Sequence, residues 1–267
     1  MTIKVAIIDG TGAKDNYDAA MAKSFCRTLS NQLGGDAYYQ RGPTAAGCET
    51  LPEATRAVAW IRREHARDSS IQIMLVGYSR GGSAAILAAQ MLEYLNISVH
   101  SLFLFDPVAR HIFPGGEVIP ANVAFSRVAR RDQSWRFVMK YEGAMSDGKR
   151  LGATSNPTRP SFGNTGLNWR GVGDHQAPTV FTGSHGALGG VGWAFVKEDQ
   201  SCQLQVSAWM GQQMRSRGLI VSLGPGSLDA AKPSEPGVLT RMAGQVLDAT
   251  MLAKSALNRL GAGGTGY

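Results

Sequence analysis

The chain has 267 residues, of which 27 are Lys or Arg and 20 are Asp or Glu, so its net charge is +7. Only 18% of the residues are charged and 43% are apolar. This composition excludes a disordered chain, which would carry more charge and fewer apolar residues. Three cysteines are too few for a disulfide-rich scaffold. The length fits a single α/β domain over residues 1–267 with enough chain to bury a core.

The sequence carries none of the common targeting or nucleic-acid signals. No apolar run reaches the roughly 18 residues that a membrane-spanning helix needs. The first residues lack the apolar stretch and the cleavage site of a signal peptide. We therefore expect a protein made in the cytoplasm, which would be secreted, if at all, by a leaderless route. The chain has neither a basic stretch interleaved with aromatic residues nor a Cys/His metal spacing, so we expect no nucleic-acid partner and no metal.

Strand and helix patterns alternate along the chain. The predicted strands are residues 5–9, 37–39, 71–76, 101–105, 122–128 and 179–182. The predicted helices are residues 18–33, 52–67, 82–95, 202–217 and 239–260. The runs 71–76 and 101–105 are almost continuously apolar, which is typical of strands in a parallel sheet that is covered on both faces. The pattern predicts an α/β fold with a mostly parallel sheet.

Residues 143–177 interrupt this alternation with a Gly-, Asn- and Ser-rich segment that has no periodicity. Segments of this length inside a domain are often lids or binding loops. We expect its apolar side chains to line an acyl groove or to touch lipid, namely Leu151, Phe162, Leu167 and Trp169. Basic residues of the segment would meet anionic head groups, namely Lys149, Arg150, Arg159 and Arg170. The alternative is that the apolar residues only pin the segment to the domain.

A serine flanked by glycines follows the third predicted strand. The segment Gly77-Tyr-Ser-Arg-Gly81 lies between an apolar strand and an Ala-rich helix. This is the context of a nucleophile elbow, in which a serine occupies a sharp turn from strand to helix. The same pattern also fits an ordinary glycine-rich turn that binds phosphate at a helix N-terminus. The flanking elements favour the elbow, so Ser79 is the candidate nucleophile, and its neighbour Tyr78 is a candidate for substrate contact.

A serine nucleophile needs a histidine base and an acid that orients the histidine. In α/β-hydrolases the chain order is serine, acid, histidine. Asp106 ends the apolar strand after the elbow helix, and the carboxyl ends of parallel strands share one edge of the sheet. Asp106 is therefore the candidate acid, with Asp132 and Asp174 as alternatives.

Five histidines compete for the role of the base. His65 and His100 precede the acid, and His111 follows it closely in a loop. His175 and His185 both satisfy the chain order. His185 lies where a predicted strand runs into a glycine-rich loop, which would present its side chain at the edge of the sheet, so we prefer it over His175.

The turn Asp9-Gly-Thr-Gly12 follows the first predicted strand. It fits neither the dinucleotide-binding fingerprint nor the P-loop. We expect it to form part of an oxyanion hole, in which one backbone N–H comes from the residue after the nucleophile and the other from a neighbouring loop. Arg80 would supply the first N–H, and Gly10 or Thr11 the second.

These segments together resemble one family, the catalytic domain of the type VI secretion lipase effectors of family 1 and their uncharacterised relatives, over about residues 3–221. The matching motifs are Asp9-Gly-Thr-Gly12, Tyr38-Tyr-Gln-Arg-Gly42, Gly77-Tyr-Ser-Arg-Gly81, Phe105-Asp-Pro-Val108, Phe181-Thr-Gly-Ser-His185 with Gly189-Gly190, and Val206-Ser-Ala-Trp-Met210. The chain departs from the family at Ala187, where aspartate is usual, and at Pro107, where threonine is usual.

The resemblance implies an α/β-hydrolase fold, a triad of Ser79, Asp106 and His185, and no cofactor. It implies a serine ester hydrolase, a lipase or phospholipase of the effector kind. Its expected partners are a lipid or acyl ester, a membrane surface, and a secretion apparatus or immunity protein. Two alternatives are a carboxylesterase or deacylase for soluble esters, and a non-catalytic hydrolase-like binding protein whose divergence is marked by Ala187.

Overall fold

The computed structural model describes residues 2–11, 17–43, 49–109, 115–131, 165–183, 185–191 and 197–225. The helix predicted at 239–260 lies outside them, as do Asp132, His111 and Phe162. Over the described ranges, no helix is both long and apolar enough to cross a membrane.

Strands and helices alternate as the sequence predicts. The strands are β1 (Ile3–Ile8), β2 (Ala37–Gln40), β3 (Gln72–Tyr78), β4 (Ser101–Phe105), β5 (Phe125–Arg131), β6 (Asp174–His175) and β7 (Thr179–Phe181). The helices are α1 (Tyr17–Ala20), α2 (Phe25–Leu33), α3 (Thr50–Arg67), α4 (Arg80–Tyr94), α5 (His185–Gly189) and α6 (Lys197–Ser216), with a 3₁₀ turn at Gly34–Asp36.

Every strand pair in the sheet is parallel, in the order β2-β1-β3-β4-β5. The last two strands both pair with β5: β6 lies beside its first residues and β7 beside its last. The carboxyl ends of β1, β3, β4 and β5 therefore share one edge of the sheet, which we call the carboxyl edge. The opposite edge, where β6 lies, is the amino edge.

Helices cover both faces of the sheet, as predicted. Along β1, Val5 and Ile7 pack in a core with residues of α2, α5 and α6. Ala6 and Ile8 pack in a second core with residues of α3 and α4. The two faces explain why the central strands are apolar without alternation: both sets of side chains are buried.

Two predicted elements differ from the structure. The helix predicted over 18–33 is two helices, because Ser24 caps α2 by accepting the N–H of Arg27 at 2.9 Å, so a new helix begins there. The strand predicted over 122–128 begins at Phe125 and continues to Arg131. Its last two residues are arginines, so a prediction based on apolar runs ends the strand too early.

The segment expected to be irregular over 143–177 is partly ordered in its described portion. Trp169 forms a parallel bridge with Ile119, and Asp174–His175 adds the short strand β6. Residues 143–164 lie outside the described part of the chain. The described portion passes from Gly166, which packs near Pro107, to Asp174–His175 at the amino edge.

Candidate active site

Ser79 occupies a sharp turn between β3 and α4, with φ of 56° and ψ of −128°. A non-glycine residue rarely adopts a positive φ, and such strain at a strand-to-helix turn is a feature of the nucleophile elbow. The two flanking glycines are required by close packing. A Cβ on Gly77 would lie 2.6 Å from the carbonyl oxygen of Gly81, and one on Gly81 would lie 2.2 Å from the carbonyl oxygen of Ile8.

The structure brings Ser79, His185 and Asp106 into one hydrogen-bonded chain. His185 Nε2 lies 2.8 Å from Ser79 Oγ, and His185 Nδ1 lies 2.6 Å from Asp106 Oδ2. An ionised carboxylate only accepts, so Nδ1 carries the proton and Nε2 is left to accept the serine hydroxyl. All three side chains are buried at the carboxyl edge. This geometry suits proton transfer from the serine.

The alternative acid and base residues in the described part lie elsewhere. Asp174 pairs with Arg127 at 3.0 Å at the amino edge. His175 contacts Ser126 there, and His100 contacts Arg217.

The charges around the acid and the histidine favour an ionised acid and a neutral base. Burial alone would raise the pKa of Asp106, but the Arg131 charge and the hydrogen bond from His185 hold that pKa below its usual value of 3.8. Burial lowers the pKa of His185 below its usual 6.5; Asp106 opposes this shift, while Arg131 and Arg80 add to it. A neutral imidazole beside a carboxylate is the state that a general base needs.

Arg131 is a site residue that the sequence analysis missed. It ends β5 and is only 2% exposed, and its Nε lies 3.4 Å from Asp106 Oδ2. Its backbone N–H also lies 3.4 Å from Asp106 Oδ1. The signal available in the sequence was the pair of successive arginines that follows a predicted strand, since a charge that becomes buried there needs a partner.

Tyr78 is buried, which corrects its expected role in substrate contact. Its ring stacks on His185 with centroids 5.0 Å apart, and its hydroxyl donates to the His185 carbonyl oxygen at 3.0 Å. The ring also fills the space beside Gly10 and Gly189, where a Cβ would lie within 2.4 Å of it. Tyr78 therefore packs against His185 and has almost no exposed surface with which to contact a substrate.

The expected oxyanion loop lies against the nucleophile, but one of its two candidate donors is occupied. The N–H of Gly10 donates to Asp9 Oδ1 at 2.8 Å, so Gly10 is not available as a donor, which corrects that alternative. A Cβ on Gly10 would lie 3.2 Å from Ser79 Cβ, so the turn touches the serine. Thr11 follows directly, and within the described residues its buried Oγ1 has no hydrogen-bond partner.

Trp169 lies at the amino edge, away from the carboxyl edge where Ser79 lies, and its predicted contact with substrate stays a prediction. Its ring is 5.7 Å from that of His175 at the amino edge. The next residue, Arg170, pairs with Glu93 near the end of α4. Because α4 begins at the elbow and rises 1.5 Å per residue, this corner is roughly 20 Å from Ser79.

The other predicted substrate contacts stay predictions. Leu167 is half-buried and follows Gly166, which packs against Leu104 and lies near Pro107 beside the acid. Phe162 lies outside the described residues. Among the residues that the structure describes, no group of three His, Cys, Asp or Glu side chains could hold a metal ion.

The parallel sheet, the helices on both faces and the strained serine between β3 and α4 define an α/β-hydrolase-like fold. No protein-family model and no curated protein matches the chain.

Several solved structures resemble part of the chain. A cutinase-like protein from Cryptococcus sp. is 20% identical over 40% of this chain and 53% of that chain, with a TM-score of 0.29. Lysin B from Mycobacteriophage D29 is 14% identical over 40% of this chain and 46% of that chain, with a TM-score of 0.29. RedJ thioesterase from the prodiginine biosynthetic pathway in Streptomyces coelicolor is 13% identical over 77% of this chain and 89% of that chain, with a TM-score of 0.36. This chain thus spans about half the length of the first two.

Proposed function

We propose that the protein is a serine hydrolase that cleaves acyl esters through an acyl-enzyme. The observation that carries this proposal is the hydrogen-bonded chain from Asp106 through His185 to a strained serine. An ordinary glycine-rich turn, the alternative from the sequence, gives no reason for a histidine and a carboxylate to meet the serine. The same chain speaks against a non-catalytic hydrolase-like protein, because a binding role requires none of these contacts.

In the proposed mechanism, the Ser79 hydroxyl attacks the ester carbonyl carbon and gives its proton to His185 Nε2. Asp106 accepts the Nδ1–H, which fixes the tautomer and stabilises the imidazolium. The oxyanion of the tetrahedral intermediate receives hydrogen bonds from the Arg80 N–H and from Thr11. His185 then protonates the leaving alcohol, and a water molecule activated by the same histidine hydrolyses the acyl-enzyme.

We propose a lipid, and more narrowly a phospholipid of the type VI effector kind, as the substrate. This finer proposal rests on the motif resemblance and on the net charge of +7, which would favour an anionic membrane surface. Trp169 lies at the amino edge, so its position adds no support for a lipid substrate. A carboxylesterase or deacylase for soluble esters is therefore the alternative, with the same chemistry at Ser79.

An active-site-directed probe tests the reaction class. A fluorophosphonate should label the protein, and mass spectrometry of the peptide should place the label on Ser79. Ser79→Ala should abolish both labelling and hydrolysis without loss of fold. A folded wild-type protein that neither reacts with the probe nor hydrolyses p-nitrophenyl acetate would overturn the proposal.

Substrate panels then separate the lipid and the soluble-ester alternatives. A lipase should hydrolyse long-chain esters or anionic phospholipid vesicles faster than p-nitrophenyl acetate at equal ester concentration. Activity on the short ester with none on vesicles would favour the carboxylesterase.

A further inference from the structure

A second buried carboxylate lies directly behind the turn that touches Ser79. Asp9 follows β1, is fully buried, and accepts three hydrogen bonds. Its Oδ1 accepts the N–H of Gly10 at 2.8 Å. Its Oδ2 accepts the hydroxyls of Ser24 at 2.5 Å and Tyr39 at 2.8 Å. The three donors come from the turn itself, the cap of α2 and the strand β2, so Asp9 ties the turn to two neighbouring elements.

The same turn is held from its other sides. The Tyr17 hydroxyl donates to the Gly10 carbonyl oxygen at 2.9 Å and accepts the N–H of Gly42 at 2.7 Å. A Cβ on Gly42 would lie 2.1 Å from the Asp9 carbonyl oxygen, so the two backbones are in close contact. Tyr78 closes the side toward the sheet, where it packs on Gly10. The peptide that leads to Thr11 is thus fixed between Asp9 and the nucleophile.

We propose that Asp9 is a positioning residue that sets the place of Thr11 as an oxyanion-hole donor. This inference rests on the proposed function. Asp9 touches no substrate in this scheme and acts only through the backbone of Gly10. Because Asp9 takes the Gly10 N–H, Thr11 is the one of the two candidate donors, Gly10 and Thr11, that is left for the oxyanion. The buried Thr11 Oγ1, which has no partner among the described residues, is consistent with a polar ligand at that point.

The donors to Asp9 also decide its charge. Burial raises the pKa of Asp9 to about 6, although the hydrogen bonds from Ser24, Tyr39 and Gly10 oppose the shift. The carboxyl group is therefore mostly ionised at pH 7, and in that form it accepts all three bonds. Loss of one donor would raise the pKa of Asp9 further. A protonated Asp9 would have to donate a hydrogen bond to a group that, in the ionised state, donates to Asp9.

Two adjacent tyrosines provide a matched test. Tyr39→Phe removes one donor to Asp9 and keeps the ring, while Tyr38→Phe removes a hydroxyl that bonds Gln40 Oε1 on the other side of the same strand. With p-nitrophenyl acetate at pH 8, Tyr39→Phe should lower kcat about tenfold and leave KM within about twofold, since a small displacement of an oxyanion donor weakens only the transition state. Tyr38→Phe should leave both within about twofold of wild type.

Hydrogen exchange distinguishes a failure of this inference from a failure of the proposed function. Tyr39→Phe should speed amide exchange in a peptide covering residues 7–11, and Tyr38→Phe should not. This readout needs no activity, so it applies even if the wild type proves not to be a hydrolase. Unchanged exchange together with unchanged kcat in Tyr39→Phe would overturn the inference.

Asp9→Asn separates an effect on kcat from a loss of folded protein. It keeps the shape and removes a buried charge, so thermal unfolding should occur at the same temperature or higher while kcat falls. Loss of kcat only in proportion to the folded fraction would show a structural role and overturn the inference.

Discussion

The acid of the proposed triad also balances a buried arginine, so Asp106→Asn should cost both rate and stability. Asp106 and Arg131 are 4% and 2% exposed, and their side chains lie 3.4 Å apart. Asparagine keeps the shape of aspartate and an acceptor oxygen but removes the negative charge. His185 would then lose the partner that fixes its tautomer, and Arg131 would keep a buried charge without this carboxylate.

The two effects have different sizes. Loss of the tautomer control lowers kcat by up to about 10⁴-fold in comparable triads. Removing one partner of a buried ion pair costs about 3–5 kcal/mol of unfolding free energy, because the remaining charge stays desolvated. Replacing both partners removes that penalty. The double variant Asp106→Asn/Arg131→Met should therefore recover most of the stability and none of the rate.

Urea unfolding and hydrolysis of p-nitrophenyl acetate measure the two effects on the same samples. Asp174→Asn is the matched control: it makes the same change in an ion pair with Arg127 whose carboxylate is 58% exposed, so it should cost less than about 1 kcal/mol and leave kcat unchanged. A loss of less than about 1 kcal/mol in Asp106→Asn would refute the buried pair as a stabilising contact. A near-normal kcat in the same variant would refute Asp106 as the acid.

Three further results are expected. The acid limb of kcat/KM should lie below pH 6.5, because burial lowers the pKa of His185. The free energy of unfolding should also fall as the pH drops below 6.5, because His185 then binds a proton more readily in the unfolded chain than in the folded one. A limb above pH 6.5 would contradict this. Gly81→Ala should cost at least about 2 kcal/mol in urea unfolding, because its Cβ would meet the Ile8 carbonyl, whereas Gly35→Ala, with open space around it, should cost little. Tyr78→Phe should lose about 1–3 kcal/mol and lower kcat, because the buried His185 carbonyl loses its donor; unchanged values would show that this bond has no role.

Patterns within short stretches of sequence predicted the central strands and the turn at Ser79. The apolar runs at 71–76 and 101–105 became β3 and β4 because both faces of a parallel sheet are buried. The elbow was predictable because close packing at the turn leaves no room for a Cβ at Gly77 and Gly81, and the two glycines have a fixed spacing from the serine. Chain order selected Asp106 and His185 as the partners of Ser79, and the structure places both in hydrogen-bond contact with one another.

Contacts between distant segments were not predictable in the same way. Arg131 is 25 residues from Asp106, and only the pairing of β4 with β5 brings them together. The environment of Tyr78 depends on which face of the sheet α5 covers, which no local pattern states. Trp169 lies in a segment whose composition suggested a binding loop, but its bridge with Ile119 fixes it at the amino edge.

Two buried carboxylates lie at the carboxyl edge with different roles: Asp106 is the candidate acid, and Asp9 is the proposed positioning residue. Asp9 and Asp106 directly follow β1 and β4, and both are buried beside the elbow. Burial tends to raise both pKa values, and neutral donors leave that of Asp9 at about 6. The cationic Arg131 reverses the effect at Asp106, whose pKa falls below its usual value. Only Asp106 therefore stays charged well below neutral pH, which is what stabilisation of an imidazolium requires. The nearby arginine, more than the position at a strand end, qualifies Asp106 as the acid.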